Sequence, residues 1–143
     1  KKDRVLTNHA KIANQRKKSL NKFSNAMVSQ YGAIFVGNIS NQWMLKTSSA
    51  KGTLDASWSR LKTMLEYKSQ QAGVIFEVVN EAYTTQTCSC CGKIPSCSLK
   101  GRAGLRVRDG TCSTCGAHHD RDVNAAVNIL AAGHRRLAGI PVL

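Results

Sequence analysis

Four cysteines stand as two C-x-x-C pairs, Cys88 with Cys91 and Cys112 with Cys115, and 20 residues separate the pairs. Each pair can turn back on itself as a knuckle, and two knuckles offer four thiolates to one tetrahedral ion. Gly92 and Gly116 follow the second cysteine of each pair, where a tight turn needs positive φ. Four soft ligands leave no open coordination position, so the ion expected is a structural zinc. Cys90 and Cys97 are read as non-ligands, with a set that includes Cys90 as the alternative. His118 and His119 come directly after the last pair. With four thiolates present, His119 is expected to contact phosphate or cap the next helix. Pairing as two disulfides is the weaker reading, because the start KKDRVLTNHAKIANQRKK lacks the apolar stretch of a secretion signal. A reducing, cytoplasmic setting follows. The first residue is Lys, not Met, so a piece of a longer chain is expected.

Acids are scarce, at 8 Asp and Glu against 21 Lys and Arg. Asp120 and Asp122 open the run D-R-D-V-N-A-A-V-N-I-L, which reads as a helix. Val123, Val127 and Leu130 fall on one face and are expected to point inward, with Gly133 as the stop. Acids in a first turn suit the helix dipole, and Asp120 is read as the cap. Glu77 and Glu81 lie in and just after the run V-I-F-E-V-V-N-E.

The elements that must position these residues are legible from periodicity. Residues 4–31 read as a helix with apolar positions Val5, Ile12, Leu20, Phe23, Met27 and Tyr31, ended by Gly32. Ala33 to Val36 is a short apolar run, as expected of a strand buried on both faces. Residues 40–52 read as a loop. Residues 54–72 read as a second helix, capped by Thr53, with a stripe of Leu54, Trp58, Leu61, Leu65 and Ala72 and with Gly73 as its stop. Val74 to Val79 reads as a second strand. A strand–helix–strand unit closes with parallel strands, so both should end at the same sheet edge. Residues 83–118 carry few large apolar groups (Ile94, Leu99, Leu105 and Val107), so that segment needs a metal to fold. Three regions are expected: 1–82, 83–118 as the ribbon, and 119–143 as a final helix with its tail.

Net charge is +13 and unevenly spread. Residues 1–74 hold 13 Lys and Arg against 3 Asp and Glu, or +10; residues 75–143 hold 8 against 5, or +3. A basic front half points to nucleic acid. Lys11, Arg16, Lys17, Lys18 and Lys22 are the candidate phosphate contacts, spread around the first helix. No run of about 18 apolar residues exists, so no membrane span is expected.

The segments Y-T-T-Q-T-C-S-x-C-G at 83–92, T-C-S-x-C-G at 111–116 and H-D-R-D-V-N-A-A-V-N-I-L at 119–130 resemble TnpB. This is the OrfB-type family of small bacterial insertion sequences, related to type V CRISPR effectors. The helix–strand–helix–strand order and the phrase I-F-V-G-N-I-S extend the resemblance to most of the chain. It implies an α/β, partial RNase H-like (RuvC) nuclease fold with a four-cysteine zinc ribbon inserted before the last helix. It also implies an RNA-guided DNA endonuclease, with guide RNA and target DNA as partners and Mg²⁺ held by carboxylates. The family's helix aspartate falls on Asp122.

Two departures from that pattern stand out. The first three strands, with the first catalytic Asp, are absent, so a missing N-terminal part of the same or another chain is expected. The family's glutamate on the fourth strand aligns with Gly37, which has no side chain to bind metal. Glu81 is the expected replacement, because the ends of parallel strands lie about 4.8 Å apart at the edge where open α/β sheets place chemistry. Glu77 is the weaker candidate. The alternative function is a nuclease-dead DNA-binding relative, a repressor or targeting subunit.

Overall fold

The structure is a computed structural model that describes residues 2–38, 50–96 and 107–139, and the side chains among them other than 2–4 and 50–56. Its elements run α1 (Lys2–Gln30), β1 (Ala33–Gly37), α2 (Ala50–Ala72), β2 (Ile75–Val79), β3 (Asp109–Thr111), β4 (His118–Asp120) and α3 (Arg121–Leu137). The loop expected at 40–52 falls largely outside the described residues, as do Cys97, Leu99 and Leu105. Helix α2 begins at Ala50, so Thr53 lies inside it and does not cap it. Among the described residues, no helix is long and apolar enough to cross a membrane.

The chain divides into two compact units, Lys1–Ile34 with Ser40–Glu77 and Phe35–Ile39 with Val78–Leu143. In the first unit α1 packs on α2. Ser24 and Ser69 are fully buried, and side chains this small let the two helices approach closely. Leu65 is buried beside them, while Trp58 and Leu61 of the expected stripe are half-buried and Ala72 is exposed. Lys68 Nζ is held by Asn21 O at 3.1 Å, Asn21 Oδ1 at 2.5 Å and Ser24 Oγ at 2.7 Å. Burial lowers its pKa from the usual lysine value. The front of α1 departs from expectation, since every residue from Val5 to Ser19 is exposed. Its apolar positions Val5 and Ile12 have no cover among the described residues. Only the stretch around Leu20 to Val28 joins the packing.

Strands β1 and β2 pair in one two-stranded sheet. Ile75 N donates to Gly32 O at 3.0 Å where both strands start, and Asn38 N donates to Val79 O at 2.9 Å where both end. The strands therefore run parallel and in step, as the helix-linked order predicts. Ile34, Val36 and Val79 are buried. Gly73, at φ 69°, ends α2 as expected.

The second unit contains the strand ends, the ribbon and α3. β3 pairs antiparallel with β4 in the register Asp109 to Asp120, Gly110 to His119 and Thr111 to His118. Asp120 caps α3, its Oδ1 accepting from Asp122 N and Val123 N at 2.9 Å each. The inward face of α3 is not the expected one. Val123 is 62% exposed, and Val127 and Leu130 are exposed too, whereas Asn124, Ala132 and Gly133 are buried. Gly133 is not a stop. A Cβ built there would overlap the Phe35 ring, so this glycine lets helix and strand approach closely. The helix ends instead at Leu137, with Ala138 as its C-cap and Gly139 following at φ 71°.

Candidate metal centre and carboxylate edge

The two knuckles repeat one backbone pattern. Cys88 N donates to Lys93 O at 2.9 Å, and Gly92 N donates to Cys88 O at 2.8 Å. Cys112 N donates to Ala117 O and Gly116 N to Cys112 O, both at 2.9 Å. Gly92 and Gly116 take φ 70° and 72°, the left-handed turn anticipated from their place in the motif. The result brings the four thiols together, with all ligand atoms within 4.8 Å of one another. Cys88 Sγ lies 3.7 Å from Cys115 Sγ, and Cys91 Sγ lies 3.9 Å from Cys112 Sγ. A tetrahedron with metal–sulfur bonds near 2.3 Å has edges of about 3.8 Å. The group is therefore shaped to bind a metal such as zinc. The described cysteines are all free thiols, so the disulfide alternative fails on geometry. Cys90 is exposed and outside the group.

The thiols are not equivalent. Cys112 is drawn down to about 6, mainly by the backbone N–H of Cys115 and then that of Thr114. Cys115 receives the Ala117 N–H, which lowers its pKa, but burial and the neighbouring thiols outweigh this and push it up to about 12. Four sulfurs at these separations cannot all ionise without a cation between them, and soft divalent metals match such donors. His119 does not cap the helix, a place that Asp120 takes. It sits on β4 with Nε2 3.2 Å from Cys88 Sγ.

Glu81 and Asp122 belong to the same unit as the thiols, and Glu77 belongs to the first. Glu81 follows β2, and its N–H donates to Asn38 Oδ1 at 3.2 Å, beside the end of β1. A Cβ built on Gly37 would overlap Glu81 Oε2 and come within 3.1 Å of Glu81 Cβ and Cδ. The carboxylate thus fills the space from which a side chain at position 37 would grow. Burial raises the Glu81 pKa. Asp122 stands exposed in the first turn of α3, with Oδ1 3.6 Å from Arg121 Nη2. Glu77 is half-buried within β2, before its end.

Lys11, Arg16, Lys17, Lys18 and Lys22 are all exposed on α1, in the first unit. Lys11, Lys18 and Lys22 share one face by helical spacing. Two residues important to the architecture had no reading from sequence. Asn124 and Asn128 of α3 hold the turn before the first knuckle. Their spacing of four was the available signal, masked by the valines beside them.

Fold and thiols together define a class, an α/β protein in which a four-cysteine ribbon lies between a parallel strand pair and a capped amphipathic helix. The model of the Cas12f1-like, TNB domain family matches residues 58–129, which are 72 of the 143. The chain belongs to that family. A Streptomyces pristinaespiralis protein named for RNA-guided DNA endonuclease activity is 37% identical over 132 residues, covering 91% of this chain and 31% of that protein. A TnpB-like protein of Acanthamoeba polyphaga mimivirus is 30% identical over 132 residues, covering 87% of this chain and 24% of its own. In the cryo-EM structure of a Cas12f1–sgRNA–target DNA complex, one chain shares the fold at TM-score 0.66 and 22% identity, over 90% of this chain and 36% of that one. The chain therefore spans no more than about a third of the length of these curated relatives.

Proposed function

We propose that the chain is the C-terminal half of the RuvC nuclease domain of a TnpB-like RNA-guided DNA endonuclease. In this reading Cys88, Cys91, Cys112 and Cys115 hold zinc, and Glu81 and Asp122 hold Mg²⁺. Guide RNA and target DNA are the partners. Lys11, Arg16, Lys17, Lys18 and Lys22 contact phosphates, and the remaining carboxylate comes from a part of the protein upstream of this chain.

The observation that carries the reading is the position of Glu81. Its carboxylate lies against Gly37, at the edge where the parallel strands β1 and β2 end. Among the described residues no ion pair offsets its charge, and burial alone raises its pKa. A desolvated carboxylate without a cation suits a divalent ion with oxygen ligands. Mg²⁺, when bound, stabilises charge on the attacking and leaving oxygens of a phosphodiester. The protein's own part is positional. Asn38 fixes the backbone of Glu81, and Asp120 fixes the first turn that presents Asp122. Arg121, whose guanidinium pairs with Asp122, adds positive charge where a phosphate backbone would approach.

The second reading, a DNA-binding relative without cleavage, is favoured by Gly37, which offers no ligand of its own. The two separate on the full-length protein with its guide. The first expects Mg²⁺-dependent cutting of matched DNA that is abolished by Asp122→Asn. Guided binding without any cutting by the parent selects the second. Cleavage by the isolated 143-residue chain would contradict both.

A further inference from the structure

Asn124 is 5% exposed, and it sits where an apolar residue would ordinarily pack a helix onto its neighbour. Its side chain makes three hydrogen bonds, with both of its N–H donors in use. Oδ1 accepts from Ser89 N at 2.8 Å, and Nδ2 donates to Thr84 O at 3.2 Å and Thr87 O at 2.7 Å. One turn later, Asn128 Nδ2 donates to the same two carbonyls, at 2.8 Å each. Two amide groups supply four N–H donors, and two carbonyl oxygens supply four lone pairs, so the set closes on itself. The Ser89 bond also fixes which way the Asn124 amide faces.

The turn held this way is the one that leaves Glu81. Thr84 donates to Glu81 O through its N–H at 3.1 Å and through Oγ1 at 2.8 Å. Gln86 N and Thr87 N both donate to Tyr83 O at 2.9 Å. Tyr83 itself has φ 63°, a left-handed backbone uncommon for a non-glycine residue, so neighbouring bonds must keep the turn in place. On the other side of the turn, Ser89 lies between the ligands Cys88 and Cys91. One pair of asparagines therefore touches the segment after Glu81, the first knuckle and the helix that carries Asp122. Apolar contacts tolerate sliding, but this set of directional bonds is satisfied in one register only.

We infer that Asn124 and Asn128 are positioning residues that fix the register between Glu81, the first thiol knuckle and Asp122. The catalytic part of this inference rests on the proposed role of the two acids. The clamp itself does not.

The test uses the full-length protein with its guide and compares Asn124→Ala, Asn128→Ala and the parent. Cleavage is titrated with Mg²⁺, zinc content and DNA binding are measured in parallel, and exchange of the 84–91 amides is followed. The expected result is at least a tenfold rise in half-saturating Mg²⁺ for each variant, with zinc and DNA binding retained. Ser89 N–H should exchange at least tenfold faster in Asn124→Ala but not in Asn128→Ala, because only Asn124 accepts from it. Should Asn124→Ala fail to fold, Asn128→Ala, at a half-buried site, carries the Mg²⁺ arm alone. Lower activity at an unchanged Mg²⁺ midpoint would overturn the positioning role, since mere loosening reduces the active fraction without altering metal affinity. A parent that does not cut counts against the catalytic reading. The clamp is then judged by exchange, and unchanged Ser89 protection in Asn124→Ala overturns it.

Discussion

Replacing Gly133 by Ala opposes two effects of known size. In a helix interior Ala is favoured over Gly by about 1 kcal/mol. The new Cβ, however, would overlap three atoms of the Phe35 ring. Overpacking of this kind costs about 1–3 kcal/mol, depending on how far the neighbour can yield. Phe35 is flanked by His134, with ring centroids 5.5 Å apart, so its freedom to rotate is limited and the upper end applies. The net expectation is a loss of about 2 kcal/mol. At a urea m-value of about 1.5 kcal/mol/M, the unfolding midpoint falls by about 1.3 M. In a Phe35→Ala background all three obstructing atoms are gone, and Gly133→Ala becomes stabilising by up to about 1 kcal/mol. The assay is equilibrium urea unfolding of the four chains followed by circular dichroism, read as a double-mutant cycle. If Gly133→Ala shifts the midpoint equally in both backgrounds, the close approach of α3 to Phe35 is not what requires glycine.

Three further outcomes follow from the same geometry. Metal analysis should give one zinc per chain, and Cys112→Ser or excess chelator should unfold the ribbon first, whose side chains Ile94 and Val107 are exposed and supply no core. Substituting Arg16, Lys17 and Lys18 together by Ala should reduce the slope of log K against log salt for duplex DNA by up to about 3 units; an unchanged slope would mark that face as solvated only. For Glu81 the folded pKa is raised, so its contribution to stability is complete below the ordinary glutamate value of 4.5 and is lost as pH rises through the folded value. Without added metal, Glu81→Gln should therefore be more stable than the parent at pH 7, and the difference should shrink as pH falls through the folded value towards 4.5.

What could be read from sequence was short in range. The thiol knuckles follow from two-residue spacings with a glycine after each, and the strands from apolar runs between turn residues. The Asp120 cap follows from an acid placed just before a periodic stretch. The face of α3 was not legible. Hydrophobic periodicity assumes an apolar neighbour, so it favours Val123, Val127 and Leu130, whereas the actual neighbour is an irregular turn presenting carbonyls to Asn124 and Asn128. Gly133 misled for a related reason. A glycine can end a helix or admit a ring, and only the position of Phe35 tells which. The exposed front of α1 had apolar residues at helical spacing but no cover in this chain's described part, and spacing alone does not reveal what is absent.

The central claim is that Glu81 supplies the carboxylate that Gly37 lacks. The direct measurement is Mg²⁺-dependent cleavage by the full-length, guide-loaded protein carrying Glu81→Gln, beside Asp122→Asn and the exchange Gly37→Glu with Glu81→Ala. Glutamine keeps size and hydrogen bonding but removes the charge that Mg²⁺ requires. The account predicts that Glu81→Gln and Asp122→Asn both abolish cleavage while DNA and guide binding persist. It also predicts that the exchanged pair recovers part of the activity, because the removed Glu81 side chain leaves room for one at position 37. Normal cutting by Glu81→Gln, with Asp122→Asn inactive, would contradict it and make Glu77 the next candidate.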